Sequence, residues 1–354
     1  MALTINITDT LRRSVEAASG GRNTVLYTAK GQPCYMVVVP KFTIESIDPA
    51  MGSGTHPAFI VGGVEKSQLF IGQHIGVSRN GEMLSLPGVD HINSITHDAA
   101  VSLVRANGAG WHLMTNVEWA AISQWCWKNG FQPRGNTNFG RSSDLTTEVG
   151  VRSDGLAIGA GGNARTLTGS GPMSWRHDNT PFGIADLNGN VWEWSPGMRL
   201  NNGEIQVIEN NDAALITADL SATSTQWKAI DGATGALVAP GSAGTVKYAA
   251  ANSGTADFTL YRASGSSFEG TANSTGANPV SNAALQLLER HGLFPVAGSG
   301  LGGDGFYLNV SSERVPFRGG SWGDSAIAGV FALRLLDARS ASYTYLGARP
   351  AFVL

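Results

Sequence analysis

Side chains capable of covalent or metal chemistry are few and scattered in this sequence. The two cysteines, Cys34 and Cys126, lie far apart, and no cysteine follows Cys126. They could form one disulfide, but a single distant pair is not a disulfide framework, so we expect free buried thiols. No two histidines have the close spacing typical of metal ligands; they are His56, His74, His91, His97, His112, His177 and His291.

The C-terminal run from Phe317 to Leu354 carries residues suited to binding. Tyrosine offers a large contact area at low conformational cost, and short polar side chains add adaptable hydrogen bonds. The composition fits either a contact surface or an ordinary polar loop before a last strand. The residues of this kind are Gly323, Asp324, Ser325, Arg334, Asp337, Ser340, Ser342, Tyr343 and Tyr345.

Composition excludes several classes of protein. Only 14% of the 354 residues are charged and the net charge is -3, which gives no basis for binding nucleic acid or an anionic membrane. No apolar run approaches the roughly 20 residues of a membrane span. The N-terminus lacks the basic start and apolar core of a signal peptide, so we expect synthesis in a cytoplasm.

The first part of the chain predicts short strands and two capped helices. Residues 1–48 indicate a short β-rich lead-in, with alternating Leu3, Ile5 and Ile7 and a strand at Cys34–Pro40. Further strands are predicted at Ala58–Val61 and Gln68–Ile71.

Capping residues mark both helices. Thr96 and Gly108 bound the first helix. The second runs from Thr115 to Gly130, where Thr115 and Glu118 form a capping box.

The second part contains few periodic segments. Residues 131–180 predict irregular coil, and the Asn188-Gly189 turn leads into a strand that holds Trp192 and Trp194. Residues 199–315 look like an insertion of short β pieces, with one helix from Ser281 to His291. Two early helices followed by many strands predict an α+β fold rather than alternating βαβ units.

Four motifs in this order carry a family resemblance: Leu113-Met-Thr-Asn-Val-Glu-Trp, Phe182-Gly-Ile-Ala-Asp-Leu-Asn-Gly-Asn-Val-Trp-Glu-Trp, Arg318-Gly-Gly-Ser-Trp and Gly347-Ala-Arg. The series resembles the C-type lectin fold of formylglycine-generating enzymes (sulfatase-modifying factors). The resemblance implies one lectin-type domain over residues 49–354, with the insertion at about 199–315. Gly347-Ala-Arg departs from the commoner Gly-Phe-Arg of that family.

The tail from Ala328 to Gly347 is similar to the variable region of proteins diversified by retroelements, such as phage tropism determinants. In that family template adenines are replaced at random, and the pyrimidine-ending codons that result cannot encode Met, Trp, Gln, Lys or Glu. Residues 323–349 contain none of these five, where overall composition predicts roughly three. The resemblance implies a variable region at about 321–346 whose ligand-binding positions are Ser321, Gly323, Asp324, Ile327, Arg334, Leu336, Asp337, Ala341, Tyr343 and Tyr345.

The same resemblance bears on metals and catalysis. Formylglycine-generating enzymes use two cysteines in this C-terminal region, and the chain has none there, so we expect no enzyme activity and no required cofactor. A structural calcium site could form at Asp186, Gly189, Val191 and Glu193, as in the enzymes. The alternative is that Glu193 pairs with an arginine such as Arg318.

The resemblance therefore implies a receptor-binding display protein diversified by a retroelement. The expected partner is a protein or glycan receptor on a target cell, with neither nucleic acid nor membrane insertion. A homotrimer is expected, located on a virion at a phage tail or fibre tip, or else on a bacterial cell surface. The alternatives are a non-diversified phage-tail or cell-surface adhesin of the same fold and, third, a metal-dependent oxidase related to formylglycine-generating enzyme.

Overall fold

A computed structural model describes residues 9–249, 254–262 and 267–354. The predicted alternation at Leu3, Ile5 and Ile7 lies outside the described residues. The α-helices of the described part are α1 (Thr10–Ser19), α2 (Ile44–Ile47), α3 (His97–Arg105), α4 (Asn116–Lys128) and α5 (Asn282–Arg290). With strands throughout, these helices confirm the predicted α+β class.

The strands are short, as the many glycine turns of the sequence require. Those of the first 200 residues are β1 (Asn23–Tyr27), β2 (Pro33–Pro40), β3 (Ile60–Val61), β4 (Val64–Glu65), β5 (Gln68–Gly72), β6 (Gly76–Arg79), β7 (Glu82–Ser85), β8 (Trp111–Leu113), β9 (Trp192–Trp194) and β10 (Met198–Asn201). The next are β11 (Glu204–Val207), β12 (Lys228–Ile230), β13 (Leu237–Val238), β14 (Lys247–Tyr248), β15 (Thr259–Arg262) and β16 (Thr271–Asn273). The last are β17 (Phe306–Leu308), β18 (Glu313–Arg314), β19 (Phe317–Gly319), β20 (Gly329–Leu335), β21 (Leu346–Gly347) and β22 (Pro350–Phe352).

One sheet joins the two ends of the described chain. Its strand order is β1-β2-β5-β22-β8, so the last strand lies between two strands from the first third of the sequence. β22 pairs antiparallel with β5, which places Ala351 beside Ile71, and with β8, which places Ala351 beside His112. The N-terminal strands are therefore part of the main scaffold.

A second sheet carries the C-terminal motifs. Its order is β17-β20-β19-β9-β21, so the Arg-Gly-Gly strand β19 pairs with the Trp-Glu-Trp strand β9. Phe317 lies opposite Trp194, and their rings meet edge to face with centroids 4.4 Å apart. β20 is almost fully buried, which follows from its apolar sequence Gly-Val-Phe-Ala-Leu-Arg-Leu.

The predicted insertion forms a sheet of its own. β10 to β16 and β18 pair with one another in a single sheet, and among the described strands of the insertion only β17 joins β20. α5 begins at the predicted cap Ser281, whose hydroxyl accepts the Ala284 N–H at 3.3 Å. Leu260, Leu288 and Phe306 are fully buried in the core cluster that also holds α4.

The predicted capping box of α4 is confirmed. Thr115 accepts the Glu118 N–H, and Glu118 in turn accepts the Thr115 N–H at 2.9 Å. Trp119 lies in the core and its indole donates to the Val330 carbonyl at 2.7 Å, which ties α4 to β20. Thr96 caps α3 as predicted.

The coil at residues 131–180 is also confirmed, and it packs on itself. Arg152, whose side chain is buried, pairs with Asp154 at 2.6 Å. Its guanidinium also donates to the carbonyls of Ala157 and Gly161, each at 3.0 Å. One buried cation therefore satisfies carbonyls that an irregular segment would otherwise leave unpaired.

Two local predictions were wrong. The lead-in contains α1, which begins where Asp9 accepts the Arg12 N–H at 2.9 Å and ends at Gly20 with φ 63°. The predicted strand at Ala58–Val61 is mostly a 3₁₀ turn at Pro57–Phe59, because His56 caps it by accepting the Ala58 N–H and Pro57 sets its φ. In the described ranges, no helix is long and apolar enough to cross a membrane.

Burial of the histidines predicts a stability that falls in mild acid. Burial lowers the pKa of His56 to about 3 and those of His91, His177 and His291 to about 4. In the unfolded chain each binds a proton below about pH 6.5. Between pH 6.5 and 4, falling pH therefore favours the unfolded state by about 1.4 kcal/mol per histidine and pH unit.

We expect the urea midpoint to drop clearly between pH 7.5 and pH 5.0. His177→Asn serves as the matched variant, since its amide oxygen can replace Nδ1 as acceptor of the Ile184 N–H. It should lose less stability over the same pH interval than the wild type. Equal wild-type midpoints at the two pH values would contradict this account.

Candidate functional site at the C-terminal surface

The predicted binding positions lie on both sides of the buried strand β20. One group is the turn at 321–327, before the strand, and the other is the segment 334–345 at its end and beyond it. We call the exposed and half-buried residues of these two segments the C-terminal surface. Because Ala328 to Leu333 are buried, the strand separates core positions from surface positions within one short stretch.

A cluster of polar and aromatic side chains forms the centre of this surface. Asp337 binds Arg334 through Oδ2, 2.8 Å from Nε, and accepts the Tyr343 hydroxyl through Oδ1 at 2.9 Å. The Tyr343 ring stacks on Tyr345 with centroids 4.9 Å apart and an interplanar angle of 9°. The hydrogen bond to Asp337 raises the pKa of Tyr343. The fold therefore brings together Arg334, Tyr343 and Tyr345, three of the residues whose types suit binding.

Tyr345 and Trp322 connect the two segments. Their rings meet edge to face with centroids 6.4 Å apart. The Tyr345 carbonyl accepts the Trp192 N–H at 2.9 Å, and the Trp322 carbonyl accepts the Phe139 N–H at 2.9 Å. The aromatic rings therefore stand on backbone that is fixed to β9 and to the 131–180 coil.

The remaining predicted positions differ in exposure. Gly323 and Ile327 are exposed, whereas Leu336 and Ala341 are half-buried. Ser321 is buried, and both its N–H and its hydroxyl donate to Asp324 Oδ2, at 2.7 and 2.8 Å. Ser321 therefore shapes the turn rather than presenting a contact group.

Tyr307 belongs to the cluster but was missed in the sequence. β17 runs parallel to β20, and Tyr307 is the register partner of Arg334. The Arg334 guanidinium carbon lies 5.8 Å from the centroid of the Tyr307 ring. No local pattern could have indicated this neighbour, because it comes from the insertion.

The residues proposed for calcium lie together but do not fit the ion in this arrangement. Glu193 is fully buried, and its two carboxylate oxygens bind the Arg349 guanidinium at 3.0 and 2.6 Å. Asp186 accepts the Gly169 N–H at 2.8 Å through Oδ2. The guanidinium thus supplies the positive charge that calcium would bring. The arginine partner of Glu193 is Arg349 and not Arg318, which instead donates to Asn116 and to the Gly292 carbonyl.

Among the residues that the structure describes, neither exposed cysteines nor a cluster of metal-ligating side chains is found. Both cysteines are free and buried, as predicted. Burial raises the pKa of Cys34 to about 12 and raises that of Cys126 as well. Over the same residues, no three His, Cys, Asp or Glu side chains lie close enough to share a metal ion.

Comparison with known proteins gives similarity in structure alone. No protein-family profile matches the sequence, and no curated protein matches it. Its structural neighbours include PvdO from Pseudomonas aeruginosa, at 14% identity and a TM-score of 0.37, covering 94% of this chain and 98% of that one. They also include Treponema denticola variable protein 1, at 11% identity and a TM-score of 0.33, covering 93% and 98%.

At such identities and TM-scores, no residue's role and no ligand is transferred from either structure.

The separation of core from surface predicts that two substitutions lower the free energy of unfolding by unequal amounts. Trp194 is fully buried and its indole donates to the Ile95 carbonyl at 2.9 Å, so Trp194→Ala should cost about 3–5 kcal/mol of unfolding free energy. Tyr343→Ala removes one half-exposed ring and one hydrogen bond and should cost about 1 kcal/mol or less. Urea unfolding of both variants measures the difference. A Tyr343→Ala protein as unstable as Trp194→Ala would place Tyr343 in the core.

Proposed function

We propose that this protein displays its C-terminal surface to bind a receptor, protein or glycan, on a target cell. The observation that carries the proposal is the position of the predicted variable residues. Arg334, Asp337, Tyr343 and Tyr345 form one partly exposed cluster, while residues 328–333 just before it are buried. Stacked tyrosines beside an arginine offer the residue types most enriched at binding hot spots.

We further propose that a retroelement diversifies these positions. The supporting observation is that residues 323–349 lack Met, Trp, Gln, Lys and Glu, while their surface positions tolerate changes that the buried strand would not. Sequencing the DNA around the gene tests this. A nearby repeat that differs at adenines, with a reverse transcriptase gene, is expected. Their absence would leave a non-diversified adhesin of the same fold.

The burial of both thiols supports a binding role without catalysis. A nucleophilic or metal-binding cysteine needs an accessible thiolate, and both thiols here are buried with raised pKa values. No cofactor is required for receptor binding of this kind. Oxidation of a cysteine-containing peptide by copper- or iron-loaded protein would argue for the oxidase instead.

Replacing the central cluster should abolish binding without unfolding the protein. Arg334, Tyr343 and Tyr345 are changed together to Ala, and binding to target cells is compared with the wild type. Ser340, Ser342 and Thr344, all exposed on the same segment, are changed to Ala as the matched control. We expect loss of binding only in the first variant, because hot spots carry most of the energy. Unchanged binding by the folded first variant would refute the site.

The C-terminal surface is small, which favours several copies acting together. A typical interface buries about 800 Å² per partner, and linking weak sites raises avidity by ~10²–10⁴. We therefore propose a homotrimer, placed at a phage tail or fibre tip or on a bacterial cell surface. We assign the interface between copies to exposed apolar side chains of the 131–180 coil; they are Leu145, Val149, Val151, Leu156, Ile158 and Met173.

Charged substitutions on this coil test the assembly. Val151→Asp with Leu156→Asp should convert the oligomer to monomer, because an interface that buries these side chains cannot accommodate unpaired carboxylates. Ile216→Asp, at an exposed apolar residue of the insertion, is the control and should keep the oligomeric mass. Light scattering measures the mass. A monomeric wild type would refute the assembly, and an unchanged mass in the double variant would move the interface elsewhere.

A further inference from the structure

A small polar cavity lies directly beneath the turn that begins the C-terminal surface. Its volume is about 110 Å³, and its walls include Ala326 and the start of β20 at 328–330. The polar side chains that line it are Gln132, Asp144, Asn188 and Asp304. Its lining contains no lysine, arginine or histidine, so every charged group there is a carboxylate.

Asp304 is a buried carboxylate with one oxygen in use. Its side chain is 5% exposed, and Oδ2 accepts the Phe331 N–H at 2.7 Å. Oδ1 receives no hydrogen bond from any described residue. Burial raises the pKa of Asp304 well above its ordinary value, and the carboxylates of Glu269 and Asp144 add to this effect. Burial therefore favours the neutral acid unless a positive group lies beside the carboxyl.

Asn188 contributes a second unsatisfied oxygen. The residue is 8% exposed, and its Nδ2 donates to the Pro133 carbonyl at 2.8 Å, which fixes the orientation of the amide. Its Oδ1 is buried and has no hydrogen-bond partner in the described ranges. A buried amide oxygen without a protein partner can accept a ligand, an ion or a water.

Gln132 and Asp304 point oxygens at the same place. Gln132 donates through Nε2 to the Gly300 carbonyl at 2.6 Å, which leaves Oε1 free to accept. A Cβ built on Gly302 would lie 2.5 Å from Asp304 Oδ1 and 3.2 Å from Gln132 Oε1. The absence of that Cβ keeps the space between the two oxygens open.

We propose that this cavity binds a divalent cation, Ca²⁺, held by Asp304 and Asp144 with the amide oxygens of Asn188 and Gln132. Calcium prefers oxygen ligands, combines carboxylates with Asn and Gln carbonyls, and tolerates irregular geometry and bound water. The two carboxylates alone give few ligands, and the two amide oxygens supply the others. The cavity has room for the ion and a few water molecules.

The site would fix the turn at 321–327. Its ligands come from the 131–180 coil, the Asn188 turn and the loop before β17, and the cavity wall is formed by 326 and 328–330. Binding the ion therefore joins three loops beneath the exposed end of the C-terminal surface. This consequence depends on the fold alone and holds whether or not the surface binds a receptor.

Titration of chelator-treated protein with CaCl₂ in a calorimeter tests the site, with MgCl₂ as a second titrant. We expect one calcium site per chain, weaker binding of magnesium, and a melting temperature raised by a few degrees in calcium. Absence of calcium binding at millimolar concentration would overturn the proposal.

Variants locate the ion. Asp304→Asn should abolish binding, and Asp144→Asn, at an exposed residue, should weaken it at least tenfold. Asp90→Asn, which removes a surface carboxylate paired with Arg165, is the control and should bind like the wild type. Calcium binding that survives Asp144→Asn unchanged would overturn the site, even where Asp304→Asn fails to fold.

Discussion

The arrangement of the whole scaffold depends on one buried ion pair, Glu193 with Arg349. The Arg349 guanidinium is fully buried and also donates to the carbonyls of Gly72 and Ala185, each at 2.9 Å. It therefore joins β5 of one sheet, β9 of the other sheet and the loop just before β9. Such a pair adds little net stability over a well-packed apolar alternative, but removing one partner leaves an unpaired charge at a cost of about 3–5 kcal/mol.

That pair also fixes the chain just beyond the C-terminal surface. β21, which follows the surface residues, pairs parallel with β9, and β22 completes the first sheet. The segment 334–345 is thus held at both ends, by β20 before it and by β21, Arg349 and β22 after it. Substitutions between these fixed points would leave the strands that hold the segment unchanged. Stability is concentrated in the frame, and binding chemistry is placed outside it.

Features with a local cause were predictable from the sequence, and features made by distant contacts were not. Thr96, Thr115 and Ser281 marked three helices correctly, because a cap acts within one turn. The partner of Glu193 was missed, because it lies 156 residues away and several arginines were equally plausible. α1 was missed for a different reason: its cap, Asp9, follows an alternating segment whose pattern suggested a strand.

The candidate site likewise combines residues that the sequence indicated with contacts that it did not. Gly323 and Ile327 are exposed and Tyr343 is half-buried, and their role in ligand binding stays a prediction. The bonds among Arg334, Asp337 and Tyr343 could not be inferred, and they mean that these positions are not independent. A change at Asp337 removes partners from two neighbours at once, whereas a change at Gly323 or Ile327 removes none of these bonds. For the proposed variable surface, substitutions should therefore cost least stability at Gly323 and Ile327 and most around Asp337, where one carboxylate orders both the cation and the ring that a ligand would meet.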